Sequence, residues 1–545
     1  MQIIVPMSGV GQRFVDAGYQ QPKPLIVIDG MPIIEHVINL FPGEDDFLFI
    51  CNEEHIANTN MREVLARIAP KGKVITIPKH KLGPVYAVQQ AFDHIDDGEV
   101  IVNYCDFGTY WDYSDFLKHT RDRNADGAVP SYKGFHPHML GSTNYAFIRD
   151  ENQWMLEIQE KKPFTNNRMQ EYASNGTYYF KSGSIMKRFF DETLNSGDDL
   201  NGEFYVSVVF NHLLKAGLKV SIYEIQHMLQ WGTPKDVEEF LSWSSYFRTN
   251  QEFLARPLEP KVDTLILPMA GLGSRFVNEG YELPKPLIEV NGKPMVFNAI
   301  QSAPGAREQF AAILQKHEDE FALVGTLQNE FPDLKPLLIE NLTDGQASTC
   351  KLLVEATEDG KSIFIGACDN GMIWDESQFD AELEQGTDVL VWAFRNHPHA
   401  NEHPAHYGWI DAEQNRVKGV SVKAAISDTP SDDYGVVGAF YFADVSVFRE
   451  AYDRMSAADD RVNGELYVDT LINYVDTERY TVKIMPVSHF VCWGTPSDYE
   501  TFRYWQSYFH KSVSHPYSIT NDPTIPYAKK KGLILEYSQF RQENR

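Results

Sequence analysis

A stretch of the chain, Met7 to Ile26 (MSGVGQRFVDAGYQQPKPLI), returns at Met269 to Ile288 as MAGLGSRFVNEGYELPKPLI. The separation is 262 positions, and it persists: Gly9 pairs with Gly271, Pro24 with Pro286, Lys161 with Lys423, Gly202 with Gly464 and Trp231 with Trp493. Asp106 and Asp369 are 263 apart, and His136 and His397 are 261 apart, so only small indels separate the copies. A period this long is a duplicated domain, not a solenoid. The 545 residues are also too many for one ordinary core. The expected organisation is a first domain at 1–249, a linker at 250–261 marked by Pro257 and Pro260, a second domain at 262–510 and a tail at 511–545. Lys529-Lys530-Lys531 in that tail reads as solvated surface.

Each loop follows a short apolar run, Ile3-Ile4-Val5 or Leu265-Ile266-Leu267, that reads as a buried strand. Gly9 and Gly11, like Gly271 and Gly273, permit a tight turn and let backbone N–H groups approach a phosphate. Arg13 and Arg275 add a planar fork of donors that suits phosphate oxygens. Lys23 and Lys285 each stand between two prolines that stiffen the backbone. One isolated Gly-x-Gly is more often an ordinary turn. Glycines, arginine and Pro-Lys-Pro recurring together and in order point instead to a polyphosphate site.

After its loop the first copy alternates: helix 33–41, strand 47–51, helix 53–68, strand 74–77, helix 85–92, strand 100–105. Alternation of this kind predicts α/β domains with mixed, mostly parallel sheets flanked by helices. Ligands of such sheets bind at strand carboxyl ends, where the Gly9 loop falls. Strand 100–105 runs into Asp106 and its counterpart into Asp369. A carboxylate there suits a hard cation such as Mg²⁺, although aspartates also serve turns and helix caps. Lys81-Leu82-Gly83-Pro84 opens one helix, and Thr343-Asp344-Gly345-Gln346 occupies the same place in the second copy. Gln346 can donate and accept, as contact with a base edge requires. Phe135-His136-Pro137-His138 and Asn396-His397-Pro398-His399 suggest zinc only weakly, since no cysteine accompanies them and such loops more often order a turn.

Gly-x-Gly-x-Arg-Phe followed by Pro-Lys-Pro-Leu resembles the signature of the sugar-1-phosphate nucleotidyltransferases, the NDP-sugar pyrophosphorylases, and the resemblance runs through most of both halves. It implies two tandem nucleotidyltransferase-like folds of the GT-A/Rossmann-like kind. It implies that Gly83 or Gly345 with Gln346 lies against the base, that Asp106 and Asp369 ligate Mg²⁺, and that Lys161 and Lys423 meet the acceptor phosphate. Glu160-Lys161-Lys162-Pro163 carries the last point; the second copy has Val422 before Lys423 and Ala424 after it. Asn175-Gly176-Thr177 and its counterpart around Gly438 resemble the sugar-contacting strand, and Glu203 and Glu465, in repeated Asn-Gly-Glu triplets, are candidates for sugar hydroxyls. At a helix start, such acids also favour the helix dipole. Trp231-Gly232-Thr233-Pro234 and Trp493-Gly494-Thr495-Pro496 resemble the closing element, with a departure: the family's aspartate is Gln230 or Cys492 here. Asp236 and Asp498 are substitutes, or ordinary first-turn helix acids.

The implied reaction is attack of a sugar 1-phosphate on the α-phosphorus of an NTP, with loss of pyrophosphate. Arg13 and Arg275 would neutralise the leaving group, and Lys23 and Lys285 the α-phosphate. The base and acceptor segments diverge while every cation is kept, which predicts two competent sites of different preference. Rivals are a cytidylyltransferase for a phosphorylated small alcohol such as phosphocholine, a glycosyltransferase of similar fold, or one copy reduced to nucleotide binding or dimerisation. Net charge of −27 without a basic run argues against nucleic acid and anionic membranes as partners. No apolar run is long enough to span a bilayer, and no secretion signal is seen. Five scattered cysteines suit a reducing cytoplasm. The expected partners are an NTP and a phosphorylated small-molecule acceptor, with a homo-oligomer left open.

Overall fold

The computed structural model describes residues 1–142, 144–397, 400 and 403–538. They divide into two units, one of Met1–Ser244 with Lys511–Ser514, the other of Ser245–His510 with His515–Ser538.

The first unit is centred on strand Gln2–Met7, where Ile3, Ile4 and Val5 have no exposed surface. Parallel strands flank it on both edges, Asp46–Asn52 and Val100–Asn103, which is why an unbroken apolar run suits the position. Among the described residues the sheet has ten strands. Their order is Tyr172–Ser174, Ala146–Glu151, Trp154–Glu160, Val220–Glu224, Gly127–Tyr132, Thr177–Phe180, Val100–Asn103, Gln2–Met7, Asp46–Asn52 and Lys73–Ile77. A parallel part runs from Val100–Asn103 to Lys73–Ile77; Thr177–Phe180 is antiparallel to both its neighbours, and beyond it Gly127–Tyr132 and Val220–Glu224 pair in parallel. Outside the sheet, His227–Gln230 pairs with Phe107–Tyr110 as a two-stranded ribbon.

The second unit repeats this order from its other edge: Leu334–Ile339, Gly305–Leu314, Pro260–Pro268, Ile363–Ile365, Tyr434–Phe442, Val389–Phe394, Val482–Cys492, Arg416–Val422 and Gly408–Glu413. It differs by fusion. Val220–Glu224 and His227–Gln230 of the first unit correspond to one strand, Val482–Cys492, which pairs with both Val389–Phe394 and Asn370–Trp374. Each unit is thus an α/β domain with a mixed sheet.

Three expectations need correction. The helix expected over 53–68 is two helices, Glu53–Asn58 and Met61–Ile68. Thr59 breaks it by turning its hydroxyl onto the His55 carbonyl while accepting from the Met61 N–H. The expected linker is mostly regular structure, because helix Pro234–Leu254 enters it and strand Pro260–Pro268 leaves it. Burial of Leu254, together with Arg256 packed 3.7 Å from the Phe253 ring, holds that segment down. The expected tail is largely part of the second unit. Tyr537, on helix Tyr527–Ser538, is 1% exposed and donates to Gln506 Oε1 at 2.7 Å, while Lys529 pairs with Glu289 at 2.7 Å.

Gly83 and Gly345 are fixed by close approach. A Cβ on Gly83 would lie 2.6 Å from the Phe204 nitrogen, and one on Gly345 2.6 Å from the Leu466 nitrogen, and both residues have positive φ. Gly9 and Gly271 have open space around the same atom. Gly83→Ala and Gly345→Ala should therefore destabilise their own units by about 1–3 kcal/mol in urea unfolding, while Gly9→Ala and Gly271→Ala stay near zero.

Candidate active site

At the carboxyl end of Gln2–Met7 the chain leaves the sheet and turns at Gly11, φ +66°, into helix Gln12–Asp16. In the second unit Gly273, φ +62°, opens Ser274–Asn278 in the same way. Gly9 and Gly271 instead leave clear space over the loop. A Cβ at Gly11 would stand 3.7 Å from Lys23 Cβ, and one at Gly273 3.1 Å from Lys285 Cβ, so each loop folds down onto its lysine.

Pro22 and Pro284 are extended, and Lys23 and Lys285 begin short 3₁₀ turns after them. Lys23 Nζ donates to Asp106 Oδ2 at 2.8 Å, and Lys285 makes the same bond to Asp369. Burial pulls the Lys23 ammonium down, but the Asp106 charge and hydrogen bond outweigh it and hold the lysine above its ordinary range; Asp369 does the same for Lys285. Both lysines are thus fixed cations. The backbone aims the aspartates: the Trp231 N–H donates to the Asp106 carbonyl at 3.0 Å, and Trp493 to Asp369 at 2.8 Å. Trp231 is packed so closely that a Cβ on Gly108 would lie 2.7 Å from its ring, and Trp493 stands 2.9 Å from the same point on Gly371. A Cβ on Gly232 would be 3.6 Å from Asp106 Oδ2, so the closing element covers the aspartate.

Asp236 and Asp498 sit in the first turns of their helices. Asp236 Oδ2 accepts from the Thr233 N–H at 2.8 Å and from the Thr233 hydroxyl at 2.6 Å. Asp498 Oδ2 accepts from the Thr495 hydroxyl at 2.7 Å and from Cys492 Sγ at 3.6 Å. Burial, then the Asp498 and Asp369 charges, push the Cys492 thiol well up, so it stays protonated. Among the described residues no group of three or more His, Cys, Asp or Glu side chains forms a metal cage. His136, driven down to about 3 by burial, packs on Tyr132, as does His138. Pro398 and His399 lie outside the described residues.

Arg13 and Arg275 are exposed. The charge of Arg13 reaches both Lys23 and Tyr205, and that of Arg275 reaches Tyr467. Lys161 Nζ donates to Tyr205 Oη at 2.7 Å, and the Tyr205 hydroxyl donates to Glu203. In the second unit Lys423 Nζ stands 5.4 Å from the Tyr467 ring, and Tyr467 bonds Glu465. Glu203 and Glu465 therefore hold tyrosines and do not serve as helix-dipole acids. Lys161 and Lys423 share a positive φ and donate their N–H groups to Tyr145 and Tyr407 at 3.0 and 2.9 Å. Lys162 lines a hollow with Glu160, Asp198, Asp199 and Lys215. Gly176, φ +99°, presses on Phe107 and Tyr104 beside Asp106; Gly438, φ +88°, lies beside Asn370, next to Asp369.

At the base loop, Gln346 opens helix Gln346–Val354 directly after Gly345. The first unit has a feature the sequence left unnoticed: His80 Nε2 lies 2.9 Å from Ser8 Oγ, and His80 Nδ1 accepts from the Leu82 N–H at 3.2 Å. The corresponding residues of the second unit are Leu342 and Ala270. Tyr205 and Tyr467 were also unremarked, although they too lie 262 residues apart.

Residues 3–168 match the MobA-like NTP transferase domain. The bifunctional protein GlmU of Staphylococcus epidermidis is 25% identical over 229 residues, or 40% of this chain and 47% of that protein. GlmU of Staphylococcus carnosus is 26% identical over 227 residues, 40% and 46%. The chain spans about half the length of the curated relatives it matches. Among solved structures, a nucleoside-diphosphate-sugar pyrophosphorylase from Vibrio cholerae RC9 is 23% identical with a TM-score of 0.38, covering 44% of this chain and 99% of its own. The inositol-1-phosphate CTP transferase from T. maritima is 16% identical with a TM-score of 0.36, covering 44% and 94%. Over residues 3–168 the first unit is therefore similar to an NTP transferase domain.

Proposed function

We propose that each unit joins an NTP to a phosphorylated acceptor of the sugar 1-phosphate kind and releases pyrophosphate, and that the two units differ in base or acceptor. The carrying observation is the lysine–aspartate pair beneath a glycine loop at the carboxyl end of the central strand, present in both units. Such a transfer needs in-line positioning and charge neutralisation more than covalent chemistry.

The loop at Gly9–Arg13 offers backbone N–H groups and open space for the triphosphate. Arg13 takes charge from the departing pyrophosphate. Lys23, kept protonated by Asp106, faces the α-phosphate as its charge rises. Lys161, fixed by Tyr205, holds the attacking phosphate. Arg275, Lys285 and Lys423 take these roles in the second unit.

The donor set fits Mg²⁺ brought in with the nucleotide, because one carboxylate completed by substrate phosphates is how this hard ion is commonly held. Asp106 and Asp369 would be its protein ligands. Bound there, the ion would neutralise phosphate charge.

Arg13→Ala should lower turnover of the first unit by about 10²–10³ with little change in unfolding midpoint, since Arg13 is an exposed loop residue. Wild-type turnover would remove its role. Asp106→Ala and Asp369→Ala should each abolish the Mg²⁺-dependent part of NTP binding in its own unit, read by calorimetry with and without the ion; unchanged dependence would rule out the ligand assignment. Disabling the units separately, by Arg13→Ala/Lys23→Ala and by Arg275→Ala/Lys285→Ala, should remove different substrates from a panel assayed by pyrophosphate release. If one variant loses every activity and the other none, the spared unit is the only enzyme.

A further inference from the structure

Beside Lys161 the first unit has a carboxylate that the second unit lacks in sequence. Glu160, on strand Trp154–Glu160, faces Ala146 across the ladder and accepts from Ser207 Oγ at 2.5 Å. The equivalent residues of the second unit are Val422, Gly408 and Asp469. Val422 faces Gly408 across the same ladder, and Asp469 lies on helix Val468–Leu471 where the first unit has Ser207. All three positions have changed together. Glu/Ala/Ser has become Val/Gly/Asp.

The exchange moves the carboxylate from the strand to the helix. A Cβ on Gly408 would lie 2.5 Å from Asp469 Oδ2, so the glycine makes room for that carboxylate against the strand pair that carries Lys423. Asp469 acts electrostatically on Lys423 and on Tyr467, just as Glu160 acts on Lys161 and on Tyr205. Burial raises the carboxyls of both Glu160 and Asp469, the latter to about 6. Ser207 satisfies Glu160, whereas among the described residues no side chain donates to Asp469, which is reached by its own backbone N–H. A partly exposed carboxylate without a side-chain donor, beside that lysine, is open to a hydroxyl brought in by the ligand.

We propose that Asp469 is a specificity-determining residue of the second unit, accepting a hydrogen bond from a hydroxyl of the acceptor whose phosphate Lys423 holds. The carboxylate comes from the helix and not from the strand, so the second unit grips a different hydroxyl and prefers a different polyhydroxylated phosphate. This rests on the reading of Lys423 as the acceptor lysine.

The test uses the full chain with the first unit disabled by Arg13→Ala/Lys23→Ala. Pyrophosphate release is measured with each NTP against α-D-glucose 1-phosphate, α-D-mannose 1-phosphate and phosphocholine. Asp469→Ser should raise KM for the accepted sugar 1-phosphate about ten- to a hundredfold and leave KM for the NTP unchanged. Phosphocholine, whose quaternary nitrogen bears no hydrogen, should be indifferent to the change. Gly408→Ala/Val422→Glu/Asp469→Ser rebuilds the arrangement of the first unit and should recover acceptor use with the first unit's ranking. Asp469→Asn keeps the shape and should repeat a smaller rise in acceptor KM. Unchanged acceptor KM in both single variants, or equal rises for NTP and acceptor, overturns the proposal. If no pair of substrates yields pyrophosphate, the nucleotidyl-transfer reading falls, and the same probes are titrated by calorimetry. Weaker sugar 1-phosphate binding by Asp469→Ser than by its parent sustains the carboxylate's role, while equal binding, or none to either, overturns it.

Discussion

The pairing of Lys23 with Asp106, and of Lys285 with Asp369, holds each site together. It joins a loop from one end of the central strand to a residue a few positions beyond the neighbouring strand, and so sets the distance between the phosphate loop and the closing element. Each side chain in the pair is partly buried. Removing one partner would leave the other as an uncompensated charge in poor solvent, which is a strong constraint on both. Charge also explains how the site coexists with a chain of net charge −27. A carboxylate that is already committed to a lysine does not repel a triphosphate as a free one would.

Much of this frame was legible because duplication turned weak signals into paired ones. Gly11 and Gly273 were readable as turn residues, and both take positive φ. The apolar run Ile3-Ile4-Val5 was readable as a strand and is fully buried. The alternating strands and helices gave the α/β class. Where sequence periodicity failed, a side chain had intervened: the helix pattern through 53–68 gives no hint that the Thr59 hydroxyl will bond both its flanks. The segment 250–261 looked like a linker from Pro257 and Pro260, but Phe253, Leu254 and Arg256 anchor it through contacts distant in sequence. The tail hid its helix for the same reason, since Tyr537 and Gln506 meet only in the folded unit.

At the site itself, residues kept in both copies were easy to find and residues exchanged between copies were not. Glu160 stood out within a recognisable motif, whereas Asp469 had no motif around it. Its meaning depends on Gly408 and Val422, which lie more than one element away in sequence. The pair Ser8 and His80, matched by Ala270 and Leu342, is a second case of two positions that changed together across a contact. The common frame is therefore backbone, cations and one aspartate per unit. The difference between the units is spread over side chains that touch one another.

The fused strand of the second unit has a mechanical consequence. Val482–Cys492 is one ladder of 11 residues, hydrogen-bonded to the sheet at its start and to Asn370–Trp374 at its end. Trp493 follows it without a break, so any excursion of that tryptophan pulls on a ladder rooted in the core. In the first unit, Val220–Glu224 and the ribbon at His227–Gln230 are separate pieces. Trp231 can fray with its short ribbon while the sheet stays whole. Local opening near the aspartate thus draws on a small cooperative unit in one half and on the main sheet in the other, and amide exchange around the two tryptophans should run at different rates.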